Sequence, residues 1–455
     1  MDYTLNDLEN WNLKIEKIVK ECGLDYYPQE FEIINYNEMI GYEAYIGMPS
    51  RYPHWSFGKS YEKLKTLYQY NLTGLPYEMV INSDPCVAYL MKDNTLLLQI
   101  LTIAHVYGHN DFFKNNRLFK EGTDASYTLE MFKTDGTIVK NCIDDPSIGY
   151  ENVEKMLNAA HSIRYQISRS VGQKRKDDED LRNEILQSYK ENSSHYSILE
   201  PRKTITPPDL SKIPLSPEDD LLYFIIKYGD LEEWQKNILE VVRRESEYFL
   251  PQIETKIMNE GWASYWHYNI LKKLDLPTSL HLEFIKRHND VVRPLLGNLN
   301  PYHLGFEILK DQAERYGEER IFEIREFDRD ASFIRRYLTY DLCKKLNLFE
   351  YVKKGSDYII SEVADDDGWK EIRNTIADTA GMGSIPYIRV IDMSRKDKTL
   401  TIEHVYDGRE LQASYAEETL KSVYDLWGHK VLLKTKRENK DITIVCDEGR
   451  KIRYL

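Results

Sequence analysis

The chain has 455 residues, a formal net charge of −14, 42% hydrophobic residues and 30% charged residues. The length exceeds what one hydrophobic core usually organises, and the composition is that of a globular protein, which excludes a disordered or fibrous chain. The acidic balance gives no attraction toward phosphate backbones, so we expect no nucleic-acid partner. The five cysteines form no C-x-x-C pair, which favours reduced thiols in the cytoplasm.

The N-terminal residues 1–7 lack the basic start and the apolar stretch of a secretion signal. The longest apolar stretch, around Leu96 to Val106, is interrupted by Gln99, Thr102 and His105 and is too short to cross a bilayer. The sequence therefore predicts a cytoplasmic protein with no integral membrane segment.

The chain opens with apolar residues at helical spacing over Leu5 to Cys22, after a Thr4 that can cap the helix. Residues 77–82 alternate as a strand does, and a long apolar helix follows from about Thr95 through His109. A strand placed before a buried helix predicts a zincin-like strand-plus-helix core.

Helical patterns return over 221–274, 279–288 and 303–316, so the middle of the chain is predicted to be mostly helical. Before these helical patterns, residues 172–220 are polar and then rich in proline, which predicts an exposed arm or long insertion. We predict a mainly helical core domain over 1–345 that carries this arm.

The last part of the chain, 346–455, has a different pattern. Four segments look like strands, with one helical segment between the two pairs: 387–391, 399–403, 410–427 for the helix, 431–433 and 442–445. The sequence therefore predicts an α+β protein that ends in a small ββαββ domain.

Two histidines four residues apart, His105 and His109, lie on one face of the predicted buried helix. Their ring nitrogens can converge on one cation, as in the H-x-x-x-H helices of zinc peptidases. The alternative is that one imidazole is a core residue and the other lies at the surface.

A second segment supplies a carboxylate. Glu260 and His267 share a helix face in an apolar, aromatic segment, where an uncompensated charge is costly. We predict a site for a divalent metal made by His105, His109 and Glu260, with zinc preferred over iron or manganese. The alternative for Glu260 is a salt bridge that fixes helix packing. His303 is a candidate fourth ligand or a neighbour of the ligands, and a helix-capping role is the alternative.

Several motifs together resemble the stage V sporulation protein R (SpoVR-like) family. They are HVYGHNDFF at 105–113, NEGWASYWH at 259–267, NPYHLGF at 300–306, MPSRYPHWSFGK at 48–59 and SFIRRYLT at 332–339. The resemblance covers most of the chain and implies a role in spore cortex formation, although relatives also occur in bacteria that do not sporulate. It carries over no catalytic residues.

The zinc peptidase motif H-E-x-x-H has a water-activating glutamate at the position that Val106 occupies here. Valine cannot accept a proton, so a hydrolytic site needs another base. Glu254 and His267 are the candidates in the second segment.

Three functions follow from these patterns together with what the family resemblance implies. The first is a metal-dependent hydrolase of a peptide or amide bond, acting on a cytoplasmic cortex precursor. The second is a non-catalytic scaffold or regulator of cortex assembly that binds a protein partner. The third is a non-haem iron or manganese enzyme, because two histidines and a carboxylate also suit those metals.

Overall fold

The structure is a computed structural model, and it describes residues 3–70, 77–194, 207–295, 298–354, 357–363, 365–366 and 368–455. Helices predominate in the part of the chain that it describes. In chain order they are α1 (Leu5–Glu21), α2 (Tyr36–Ala44), α3 (Trp55–Gln69), α4 (Leu96–Asn115), α5 (Arg117–Gly122), α6 (Thr128–Asp144), α7 (Tyr150–Ser162), α8 (Asp178–Ser194), α9 (Leu221–Tyr228), α10 (Glu233–Glu254), α11 (Lys256–Lys273), α12 (Thr278–Val292), α13 (Pro301–Tyr316), α14 (Glu318–Phe327), α15 (Asp330–Tyr337), α16 (Tyr340–Lys345), α17 (Gly368–Thr379) and α18 (Ala413–Trp427), with a short 3-10 helix at Gly381–Ser384.

The strands form small sheets between and after these helices. In chain order they are β1 (Gln29–Ile34), β2 (Glu78–Ile81), β3 (Cys86–Met91), β4 (Phe349–Lys354), β5 (Asp357–Val363), β6 (Ile388–Met393), β7 (Leu400–His404), β8 (Val431–Arg437), β9 (Lys440–Asp447) and β10 (Lys451–Tyr454). The predicted mainly helical α+β class is confirmed.

The chain divides into two compact units. One comprises Met1–Lys140 and Glu247–Ser384, and the other comprises Asn141–Ser246 and Ile385–Leu455. The predicted domain boundary at residue 345 stays a prediction. The predicted polar arm includes helix α8, and its residues 195–206 lie outside the described part of the chain.

The first unit is organised around α4, whose sequence is apolar on nearly every side. Thr95 caps it by accepting a hydrogen bond from the backbone N–H of Leu98 at 3.3 Å. Residues 97–113 are all buried, as expected for a helix without a polar face. The predicted buried helix is confirmed.

Close backbone contacts place α11 between α4 and α13. Gly108 of α4 faces Ala263 of α11, and a methyl group added to Gly108 would lie 2.7 Å from the Cα atom of Ala263. Gly261 of α11 faces Gly305 of α13, and a methyl group on either glycine would overlap the backbone of the other. Only small residues allow three helices to approach so closely, and this approach brings the histidines of α4 beside α11.

Strand β3 is central in a three-stranded sheet of order β1-β3-β2. It pairs in parallel with β1 and antiparallel with β2, with Glu78 opposite Leu90. All six residues of β3 are buried. The predicted strand at 77–82 is confirmed as β2, whereas the sequence did not predict β3. The zincin-like relationship of this sheet to α4 stays a prediction.

The second unit contains a five-stranded sheet of order β10-β9-β8-β7-β6. All its pairings are antiparallel except β7 with β8, which are parallel because α18 connects them. The predicted ββαββ order is present, and the missed strand β10 extends it. No helix in the described ranges is long and apolar enough to cross a membrane.

Candidate metal centre

His105 and His109 project from one face of α4 into the first unit. Their ring centroids are 4.6 Å apart, and the two residues are only 4% and 7% exposed. Burial and the neighbouring His105 lower the pKa of His109 to about 4, so His109 is neutral at pH 7 and can offer a lone pair to a cation. The prediction that these two rings share a face is confirmed.

Two carboxylates approach the Nε2 atoms of these rings. Glu260 Oε2 lies 3.8 Å from Nε2 of His105 and 3.6 Å from Nε2 of His109. Glu78 Oε1, from strand β2, lies 3.8 Å from Nε2 of His105. The donor atoms of Glu78, His105 and His109 all lie within 4.8 Å of one another. Four side chains from three elements therefore converge on one small space.

The convergence leaves a charged atom without a hydrogen bond. Glu260 Oε2 is buried and has no hydrogen-bond partner among the described residues. Burial raises the pKa of Glu260, but the neighbouring His105, His109 and Tyr302 side chains outweigh it, and the pKa is lowered. Burial raises the pKa of Glu78, and Glu260 adds to the rise. Two glutamates near one buried imidazole repel each other, and either a proton on one of them or a cation relieves the repulsion.

The Nδ1 atoms of both rings face away from this space and are hydrogen-bonded. His109 Nδ1 lies 2.9 Å from Oδ1 of Asn259, and His105 Nδ1 lies 2.9 Å from Nδ1 of His267. An amide oxygen only accepts, so Nδ1 of His109 carries the proton and its Nε2 carries the lone pair. Metal-binding histidines are commonly oriented in this way, with the second ring nitrogen bonded to a neighbouring group.

Tyr302, on the first turn of α13, closes one side of the cluster. Its ring stacks on His105 with centroids 6.2 Å apart. The Glu260 carboxylate and burial both raise the pKa of Tyr302, and its hydroxyl is hydrogen-bonded to Glu260. The phenol therefore stays protonated and donates to the carboxylate.

Of the other predicted site residues, His267 lies behind His105. It is fully buried, and burial lowers its pKa well below the usual value. Its Nδ1 contacts His105 and its Nε2 lies 2.8 Å from Nδ1 of His288. Both ring nitrogens of this candidate base are therefore engaged by other histidines.

The second candidate base, Glu254, contacts a different group of residues. It lies at the end of α10, 3.5 Å from Nη1 of Arg329, and accepts a hydrogen bond from the backbone N–H of Met382 at 3.3 Å. These contacts join α10 to the 3-10 helix, and the role of Glu254 as a base stays a prediction.

His303, the candidate fourth ligand, follows Tyr302 on α13. Its Nδ1 is buried without a partner among the described residues, and burial lowers its pKa. The cap of α13 is Asn300, which accepts from the backbone N–H of Tyr302 at 3.0 Å. The N-cap residue of α13 is therefore Asn300 rather than His303. The role of His303 as a fourth ligand stays a prediction.

Sequence reasoning missed Glu78 and Tyr302. Glu78 is a single carboxylate on the predicted strand at 77–82, and no pattern in the sequence tells which helix that strand faces. Tyr302 lies within the motif at 300–306, in which His303 was the predicted ligand. Both residues reach the cluster through long-range packing.

The residues present fit a divalent cation. Nitrogen and carboxylate donors suit zinc, iron and manganese. Donor atoms that bind one such ion at about 2 Å lie about 3 to 3.5 Å apart, and the distances of 3.6 and 3.8 Å here are close to that spacing. A small inward movement of the two glutamates would complete the site.

The fold and the site define a mainly helical α+β protein with a buried cluster of two histidines and two glutamates. Residues 2–385 match the family described as SpoVR like protein, and residues 386–438 match the SpoVR-like C-terminal domain. The chain therefore belongs to the SpoVR-like family. It is 33% identical over 486 residues to the uncharacterized protein YcgB of Escherichia coli (strain K12), a match that covers 98% of this chain and 94% of that protein. No solved structure matches the chain.

Proposed function

We propose that the chain is a metal-dependent hydrolase of a peptide or amide bond, with the cation held by His105, His109 and Glu260. The observation that supports this most is the buried Oε2 atom of Glu260, which has no hydrogen-bond partner among the described residues and lies 3.6 and 3.8 Å from two Nε2 atoms. A buried carboxylate oxygen without a hydrogen bond is costly, and a bound cation removes that cost.

Glu78 can take the role that Val106 cannot. Held by His105, His109 and Glu260, a divalent cation would polarise a carbonyl group and lower the pKa of water. Glu78 lies near Nε2 of His105, whereas His267 contacts Nδ1 of the same ring. Burial raises the pKa of the Glu78 carboxyl. A carboxylate with a raised pKa beside a cation can accept a proton from water and pass it to a leaving amine. Glu78 thus replaces Glu254 and His267 as the proposed base.

Membership of the SpoVR-like family suggests a sporulation-related role. Within that role we propose a contribution to spore cortex formation in the cytoplasm, with a cortex precursor or a protein partner as the molecule bound. A peptide or amide bond in such a precursor is a bond that this arrangement of groups can cleave.

A second candidate is a non-haem iron or manganese enzyme. The presence of Glu78 favours it, because a second carboxylate beside two histidines and one glutamate makes the donor set richer in oxygen, and oxygen donors suit manganese and iron. The identity of the bound metal separates the two candidates.

The experiment is elemental analysis of the purified, untagged protein beside the His105→Ala/His109→Ala double variant. We expect near-stoichiometric metal in the wild type and its loss in the double variant, with circular dichroism unchanged. His281→Ala, an exposed histidine on α12, is the control and keeps the metal. Zinc supports the hydrolase, and iron or manganese supports the second candidate.

Metal-free wild-type protein would leave a non-catalytic scaffold as the function to pursue. The Glu260→Gln variant then distinguishes a metal centre from a scaffold. In the metal centre it weakens metal binding strongly, whereas in a scaffold it changes only stability. With metal bound, Glu78→Gln is expected to keep the metal and to lose turnover of any amide substrate that the wild type cleaves.

A further inference from the structure

Three buried histidines form a hydrogen-bonded chain that runs from the cluster to helix α12. His105 Nδ1 lies 2.9 Å from His267 Nδ1, and His267 Nε2 lies 2.8 Å from His288 Nδ1. The three residues are 4%, 0% and 4% exposed and belong to α4, α11 and α12. The proposed function uses only the first of them.

This series of histidine hydrogen bonds has a direction, because two facing ring nitrogens make a hydrogen bond only when one carries a proton and the other a lone pair. When Nε2 of His105 offers its lone pair to a cation, its Nδ1 carries the proton and donates to Nδ1 of His267. His267 then carries its own proton on Nε2 and donates to Nδ1 of His288. In the reverse direction the proton sits on Nε2 of His105, where it competes with a cation.

The Nδ1 atoms of the two histidines of the cluster therefore have different kinds of hydrogen-bond partner. His109 donates to Asn259, whose amide oxygen can only accept. His105 faces an imidazole, which can either donate or accept, so its tautomer depends on the next ring. His288 terminates the chain in a fixed position, since its ring packs against Tyr268 at 4.6 Å and Phe306 at 5.1 Å between centroids.

We propose that His267 and His288 are positioning residues for the metal centre, which hold His105 in the tautomer that leaves its Nε2 free for the cation. Neither residue touches the cation or a substrate, and both act through His105. The inference rests on the proposed metal centre but not on hydrolysis. Groups that hydrogen-bond to metal-binding histidines typically change metal affinity about 10- to 100-fold when they are removed.

The first test measures zinc affinity by competition with a chromophoric chelator. His288→Phe keeps a ring of similar size but has no acceptor, and we expect about 10-fold or more weaker zinc binding. His288→Asn places an amide oxygen near the position of Nδ1 and is expected to stay within about 3-fold of the wild type. His281→Phe, the same change at an exposed position of α12, leaves the affinity unchanged. Circular dichroism of each metal-free variant checks the fold.

Equal zinc affinity in His288→Phe and the wild type would overturn the positioning role while leaving the metal centre intact. Equal weakening in His288→Phe and His288→Asn would show that packing rather than hydrogen bonding matters, and would also overturn it. A wild type that binds no zinc, iron or manganese would overturn the centre and this inference together.

The second test observes the protons themselves. In zinc-loaded protein labelled with 15N at histidine, long-range proton–nitrogen correlation distinguishes protonated from unprotonated ring nitrogens. We expect Nε2 of His267 to be protonated and Nδ1 of His288 to be unprotonated. A proton on Nδ1 of His288 in the zinc-loaded protein would show that the chain runs in the opposite direction and would contradict the proposal. Side-chain packing alone would not set this pattern.

Discussion

Oδ1 of Asn259 lies 2.9 Å from Nδ1 of His109, and the next residue along α11 is Glu260, whose carboxylate lies 3.6 Å from Nε2 of the same ring. One turn of α11 therefore contacts both nitrogens of His109. Asn259 fixes the tautomer of the imidazole, and Glu260 faces the lone pair that the tautomer exposes.

Asn259→Ala should weaken metal binding about 10- to 100-fold, because the imidazole of His109 loses the group that orients it. The stability of the metal-free protein should fall by only about 1 kcal/mol, the usual net contribution of one hydrogen bond. Chelator competition measures the first and urea unfolding the second. Asn269→Ala is the matched control, since the Asn269 amide donates to the Tyr265 carbonyl of its own helix. Similar affinity losses in both variants would contradict the orienting role.

Gly261→Ala should destabilise the protein by about 1 to 3 kcal/mol or more, because the added methyl group overlaps the backbone of Gly305 in α13. Gly41→Ala is the matched control: it lies inside α2 with no atom within 4 Å of the added methyl. There the change should stabilise by about 0.5 to 1 kcal/mol, since alanine favours a helix over glycine. The midpoints of urea unfolding measure both, and equal midpoints would refute the close approach of α11 and α13.

The elements that local patterns specify were predictable from the sequence. Helix α1 begins where predicted because Thr4 and Asp7 form a reciprocal cap, with Thr4 N–H to Asp7 Oδ2 at 2.7 Å and Asp7 N–H to Thr4 Oγ1 at 3.2 Å. Helix α4 was predictable from its long, mostly apolar sequence. The shared face of His105 and His109 follows from helix geometry alone.

Contacts between distant segments were not predictable in the same way. Strand β3 is a short, fully buried apolar run, and such a run has no alternating pattern to identify it. Glu78 reaches the cluster only because β2 pairs with β3 beside α4. The spacing of His267 to Glu260 predicted that the two share a helix face, but the partner of His267, His105, lies 162 residues away in sequence. No periodicity predicts that contact.

We expect the buried histidines to make the folded protein less stable in acid. Burial lowers the pKa of His288 from 6.5 to about 4, and lowers that of His267 as well. The unfolded chain then binds more protons than the folded chain between pH ~6.5 and ~4, so stability is present above pH ~6.5 and is lost as the pH falls through this window. His288→Asn removes one of these groups.

We therefore expect the free energy of unfolding of the metal-free wild type to fall more steeply than that of His288→Asn over the same pH window. The difference should be about 1 to 3 kcal/mol, since one pKa unit corresponds to about 1.4 kcal/mol. Urea unfolding at a series of pH values measures it. Parallel pH profiles for the two proteins would mean that His288 has the same pKa in the folded and unfolded chain.

Asp111 lies two residues after His109 on α4, and its carboxylate is wholly buried. It accepts hydrogen bonds from the indole N–H of Trp262 at 2.9 Å and the backbone N–H of Asp25 at 2.8 Å, and lies 3.6 Å from Nε of Arg325. Burial raises the pKa of Asp111 to about 6, and the Arg325 guanidinium limits the rise. This buried pair links α4 to α14.

Arg325→Met should destabilise the protein by about 3 to 5 kcal/mol, because it leaves the Asp111 carboxylate buried without its cation. Arg325→Met combined with Asp111→Asn should cost less than the sum of the two single changes, since the amide oxygen still accepts from Trp262 without a charge to compensate. Arg335→Met is the control: its pair with Asp378 is about half exposed, and such surface pairs contribute about 0 to 1 kcal/mol. Urea unfolding of the four variants measures the coupling. Strictly additive costs would mean that Arg325 stabilises α14 by packing on Trp262 and Phe322 rather than by neutralising Asp111.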